Sequence, residues 1–178
     1  MTRMLPLPIR VTLSLILVIA AVTDLQSRRI PNWLTLPAIP IGLIAQTMYG
    51  DGFRASLFGA CVGFIVFFVP FAIGARGAGD VKLFTAVGSF VGIHNLLVVF
   101  VLVAMLGGVA AVFVALRAGA LGRVLRNTSS ILLSLGRGRW SELRERSDLN
   151  RPGAMSLPYG AVIAAGALLF MWFPNGGN

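Results

Sequence analysis

Six acidic residues occur in 178 positions, and two of them, Asp24 and Asp80, stand at the ends of apolar runs. The other four, Asp51, Glu142, Glu145 and Asp148, fall in a turn or in a polar stretch. A carboxylate bordering lipid-like sequence is costly to keep, and its default reading is functional. The structural alternative is a helix end at headgroup level, with Asp80 as an N-cap. Relative placement favours function. Asp24 closes the first apolar run and Asp80 follows the third, so two crossings separate them and both belong to one membrane face. Two carboxyls that meet there can share a proton. One then activates water and the other protonates a leaving group, the equipment of an aspartic protease. Gly77-Ala78-Gly79-Asp80 forms a G-x-G-D segment ahead of a helix. Glycines there admit close backbone approach and unusual dihedrals, and an extended peptide can lie against them.

The elements that must position these groups are apolar helices. Hydrophobic residues make up 57% of the chain and charged residues 12%, about half the charge of a soluble domain. The apolar runs are continuous rather than alternating, which excludes strand spans. Approximate spans are 8–24, 33–49, 55–75, 81–93, 96–116 and 157–173. Leu83 to Leu116 is too long for one crossing of a ~30 Å core, and Gly92-Ile93-His94-Asn95 supplies the turn that divides it. Gly50-Asp51-Gly52 is a second turn. Pro31 suits a first helical turn, and Pro37 and Pro40 are expected to kink the second helix. The expected fold class is therefore all-α: a polytopic membrane protein, six transmembrane helices in one bundle, one domain over 1–178. Arg3 and Arg10 ahead of the first run raise a secretory leader, but Ala20-Ala21-Val22 is a poor cleavage signal, so the run reads as a retained span.

Net charge is +9, from 15 basic and 6 acidic residues. In a membrane protein such an excess speaks for cytoplasmic loops and anionic headgroups, and no soluble basic face exists to bind nucleic acid. With the amino terminus outside, the inside loops hold 12 basic residues and the outside segments only Arg3, Arg10 and Arg54. The positive-inside rule then puts Asp24, Asp80 and the basic loop 118–153 in the cytoplasm. Leu121, Val124, Leu125, Thr128, Leu132 and Leu135 fall at helical spacing in that loop, which predicts a basic amphipathic helix lying on lipid headgroups. Lys82 can hold a carboxylate charged or snorkel to headgroups, and the lipid role is the preferred one. Cys61, the only cysteine, reads as a small packing residue and His94, the only histidine, as turn polarity. Neither suggests a metal site.

Asp24-Leu25-Gln26-Ser27-Arg28-Arg29-Ile30-Pro31-Asn32 resembles the D-x(3)-R-x-I-P-N segment of type IV prepilin peptidases. Gly77-Ala78-Gly79-Asp80-Val81-Lys82-Leu83 resembles their G-x-G-D-x-K-L segment. Two such motifs in the right order form a specific signal, and the hydropathy agrees over nearly the whole chain. Small size and the wording Ile30-Pro31-Asn32-Trp33-Leu34-Thr35-Leu36-Pro37 look most like the short CpaA/TadV branch, which serves tight-adherence (Flp) pili. The resemblance implies a membrane aspartyl endopeptidase of the bacterial inner membrane that cleaves prepilin leaders at the cytoplasmic face. It implies Asp24 and Asp80 as the catalytic pair, with Gly77, Gly79, Lys82, Arg28, Pro31 and Asn32 as supporting motif positions, and neither cofactor nor metal. Larger members carry an extra region with paired cysteines tied to amino-terminal methylation. This chain has no cysteine pair, so methyl transfer is not implied. Two other classes are open alternatives: a carboxylate-dependent transporter, which would hold its acids near the bilayer midplane, and a non-catalytic component of a pilus or secretion assembly. The presenilin kind of G-x-G-D protease needs a Tyr-Asp motif, which does not occur here.

Overall fold

The computed structural model describes residues 5–72, 77–117, 119 and 158–173. These residues form five helices: α1 (Leu7–Ser27), α2 (Asn32–Tyr49), α3 (Phe53–Ala72), α4 (Ala78–Arg117) and α5 (Tyr159–Trp172). Three of them, α1, α3 and α4, are long and apolar enough to cross a membrane. The basic stretch expected to hold an amphipathic helix lies outside the described residues, apart from Gly119. α2 runs helical through Pro37 and Pro40. Pro31 is not in its first turn but one position ahead, in extended backbone, where its carbonyl accepts from the amides of Leu34 and Thr35.

α4 is the axis of the bundle. From Leu83 to Gly92 every residue is buried, because α2, α3 and α5 all pack against it. α3 approaches through small residues. Gly59 and Gly63, four apart, place backbone on backbone, and a Cβ at Gly63 would stand 2.9 Å from the Phe84 carbonyl oxygen. Such small-xxx-small spacing lets helices gain van der Waals contact where lipid offers no hydrophobic contrast. Phe67 of α3 stacks on Phe84 with ring centroids 4.2 Å apart. Cys61 is exposed on the outer side of α3. This corrects its reading as a packing residue, since Gly59, Ala60 and Gly63 occupy the buried side.

α4 breaks at Gly92, whose φ of 69° and ψ of 169° are open to glycine and strained for other residues. The arm before it, Ala78 to Val91, is about 21 Å long. A break deprives the preceding carbonyls of their intrahelical donors, and inside lipid each such group must be satisfied by protein. Side chains do this here. Gln46 Nε2 of α2 donates to the Phe90 oxygen at 2.8 Å, Ser56 Oγ of α3 to the Ser89 oxygen at 2.5 Å, and Asn95 Nδ2 to the Val91 oxygen at 3.3 Å. Gln46 and Ser56 are thus helix caps borrowed from neighbouring helices, and Asn95 is a cap supplied by α4 itself. Gln46 Oε1 also accepts from the Asp51 amide at 2.9 Å, joining the α2–α3 turn to the break.

Candidate active site

At the opposite end of the first α4 arm, α1 ends in a local device. Arg28 adopts a left-handed conformation (φ 51°) and its amide donates to the Asp24 carbonyl at 2.8 Å. A left-handed residue after a helix satisfies a terminal carbonyl and turns the chain sharply. The turn swings Ile30 inward, where it is buried, and leads through Pro31 into α2. Arg28 thus shapes this turn through its backbone, and its side chain is exposed.

Asp24 is only 5% exposed, in the last turns of α1. Its Oδ2 accepts from the Ala161 amide at 3.1 Å, in the first turn of α5. A helix amino terminus presents unpaired N–H groups and a positive dipole end, so a carboxylate fits there. Gly160 makes the approach possible. A Cβ on it would stand 2.7 Å from Ile30 Cδ1 and 3.0 Å from both Cγ and Oδ2 of Asp24.

Asp80 lies in the first turn of α4 and is half-buried. It is not the N-cap of the structural alternative, because α4 starts two residues earlier, at Ala78. The Asp80 amide donates to the Gly77 carbonyl at 3.2 Å. Gly79 is helical, so the unusual dihedral expected of it is absent; its need for glycine is steric. A Cβ there would be 3.2 Å from Ile30 Cβ. Ile30 is thus the common floor of the site, with Gly79 next to Asp80 on one side and Gly160 against Asp24 on the other.

Lys82 and Asn32 join the same end. Lys82 Nζ donates to Asn32 Oδ1 at 2.8 Å, a bond between the two motif segments. One of the ammonium donors is thus engaged within the protein. The ammonium finds an amide oxygen because α2 begins beside the second turn of α4. Gly77 is exposed, and a Cβ there would make only ordinary contacts, with Asp80 Oδ2 at 3.7 Å and the Gly79 nitrogen at 4.0 Å.

Sequence reasoning missed Gly160 and Ala161. The one local signal is that Pro158, preceding α5, offers no capping side chain. At the far end of α1, Arg10 is likewise taken up by α5. Its guanidinium lies 5.1 Å from the Trp172 ring centroid and donates to the Met171 carbonyl at 3.5 Å. A basic group near a helix carboxyl end is the matching half of the Asp24 arrangement. His94 is exposed and faces Asp51, with Nδ1 3.8 Å from Oδ2, at the other end of the first α4 arm. Among the described residues no group of three or more His, Cys, Asp or Glu side chains is gathered for a metal.

Comparison with known proteins bears on this end of the bundle. The chain is 39% identical over 103 residues to a prepilin leader peptidase/N-methyltransferase of Bacillus subtilis, covering 54% of this chain and 42% of that protein. It is 33% identical over 129 residues to the Myxococcus xanthus protein of the same name, covering 68% of this chain and 38% of that one. The chain thus matches about two fifths of the length of these curated relatives. No solved structure matches it. The model of the type IV leader peptidase family matches residues 11–112, a stretch that holds both motif segments and more than half of the sequence. The chain belongs to the type IV leader peptidase family.

Proposed function

We propose that this protein is a membrane aspartyl endopeptidase that removes the leader from Flp-type prepilins at the cytoplasmic face of the bacterial inner membrane. Asp24 and Asp80 are its working pair. The observation that carries the reading is the shared floor: Gly160, pressed on Asp24, and Gly79, adjoining Asp80, both rest on Ile30. Two carboxyl-bearing segments far apart in sequence are thereby tied to one end of the bundle. In the reaction, one carboxylate takes a proton from water as the water oxygen attacks the scissile carbonyl. The other carboxyl gives its proton to the departing amine. The pair ends with the proton exchanged between its members, ready to reset, and no acyl-enzyme forms.

The proposed topology counts α1, α2, α3, both arms of α4 and α5 as six crossings, with the amino end outside. The cleavage site is a glycine at the end of a basic leader, just before the pilin's hydrophobic helix. The enzyme is itself basic, so long-range charge does not draw that leader in. Encounter within the bilayer and a local acidic site take its place. Methyl transfer is not part of this reading, since Cys61 is the only cysteine. The test is co-expression with an Flp-type prepilin and mass measurement of its amino terminus. Loss of the leader after that glycine is expected; an intact prepilin beside stably inserted enzyme contradicts the proposal.

A further inference from the structure

α5 begins without a capping side chain of its own, because Pro158 at its N-cap position makes no side-chain bond. The acceptor comes instead from 137 residues away: Asp24 Oδ2 takes the Ala161 amide at 3.1 Å. Ala161 is the third residue of α5, and the third amide of a helix is one that an N-cap side chain ordinarily satisfies. Asp24 is therefore a long-range cap of α5, and α5 is in turn the seat of Asp24. That bond anchors one oxygen of the carboxyl group, Oδ2. The seat has no slack. A Cβ at Gly160 would lie 3.0 Å from Asp24 Cγ and Oδ2, inside ordinary van der Waals contact.

We infer that Gly160 and the Ala161 amide are positioning residues for catalysis: they fix the Asp24 carboxyl group by holding its Oδ2. The inference deepens the peptidase reading and rests on it. A misplacement of about an ångström at a reacting group can cost on the order of 10²-fold in rate. A Cβ at Gly160, 3.0 Å from Asp24 Oδ2, forces a displacement of roughly a few tenths of an ångström, so Gly160→Ala is expected to lower turnover on prepilin about tenfold or more, with KM little changed.

Two comparisons separate positioning from packing. Gly166→Ala puts a Cβ on the same helix 2.6 Å from Val103 Cγ2 and 3.0 Å from Val103 N, far from Asp24. It is expected to lower the melting temperature and leave turnover of the folded protein unchanged. Ile30→Val combined with Gly160→Ala removes the Cδ1 that stands 2.7 Å from the new Cβ, but leaves the contact with Asp24. It is expected to restore melting and not turnover.

The seat itself is read without activity, by hydrogen exchange of the Ala161 amide in the full-length protein in detergent. Protection in wild type and loss of it in Asp24→Ala is the expected result; equal exchange overturns the inference. Turnover of Gly160→Ala within about twofold of wild type, or full rescue of turnover by Ile30→Val, also overturns it. A wild type inactive on prepilin with Ala161 still protected overturns the peptidase reading, and with it the catalytic role of the seat, while leaving the contact in place.

Discussion

Gln46→Met tests whether buried polar side chains hold the broken helix together. Methionine nearly preserves the volume and flexibility of glutamine but has neither its N–H donors nor its carbonyl acceptor. Gln46 is 1% exposed and bonds both the Phe90 carbonyl and the Asp51 amide. The two losses differ in weight. Asp51 sits in a turn at the end of the bundle, where water can replace the lost acceptor. The Phe90 carbonyl stands two residues before the Gly92 break, in the fully buried stretch of α4. Leaving a buried backbone acceptor unmet costs about 1–3 kcal/mol. Hydrogen bonds between helices in membranes average about 0.6 kcal/mol and reach about 1.7. The two ranges overlap at about 1–1.7 kcal/mol, or roughly five- to twentyfold in the unfolding equilibrium. Equilibrium unfolding in mixed micelles, followed by loss of helical signal, reads this directly. Thr47→Val is the control, because Thr47 is exposed and bonds the Leu43 carbonyl of its own helix. Gln46→Met as stable as Thr47→Val would refute the capping account of the break.

Lys82→Met and Asn32→Leu break one bond from its two ends, so each should lower prepilin turnover about fivefold, an effect of about 1 kcal/mol. The double variant should be no worse than the poorer single one, and additive losses would show that the side chains act separately. Arg10→Ala should destabilise the protein by about 1 kcal/mol through the lost contacts with Met171 and Trp172, while a reporter fused after Gly50 keeps its location. An altered location would make Arg10 an insertion signal instead. Fusions after Gly50 should read periplasmic and fusions at Ser141 cytoplasmic; a periplasmic reading at Ser141 breaks the six-crossing arrangement.

The features legible in the sequence were those written in local chemistry. Continuous apolar runs announced helices, and Gly92 marked where the longest had to break. Asp24 and Asp80 stood out because so few charges border those runs. What stayed hidden depends on partners that no local pattern encodes. The seat of Asp24 joins residues 137 apart, and the Lys82–Asn32 bond joins residues 50 apart. Gln46 and Ser56 look like stray polar residues in apolar helices until the carbonyls they cap, 44 and 33 positions away, come beside them. Arg10 counted against the inferred orientation when read as a charge alone, and in the fold it is occupied by α5. Cys61 could not be assigned to a face, because almost every residue of α3 is apolar and hydropathy there has no direction.

The central claim is that Asp24 and Asp80 work as one unit, and it is tested most directly by cleavage of an Flp-type prepilin by Asp24→Asn, Asp80→Asn and the double variant. Mass measurement of the pilin amino terminus is the readout, in membranes where insertion of each variant has been verified. Asparagine keeps the shape of the side chain and removes the proton the pair would share. Each single variant should lose activity by about a thousandfold or more, and the double variant should be scarcely worse. Asp51→Asn, in the turn after α2, should cleave as wild type does. A stably inserted Asp24→Asn protein that still removes the leader at a substantial rate would contradict the account.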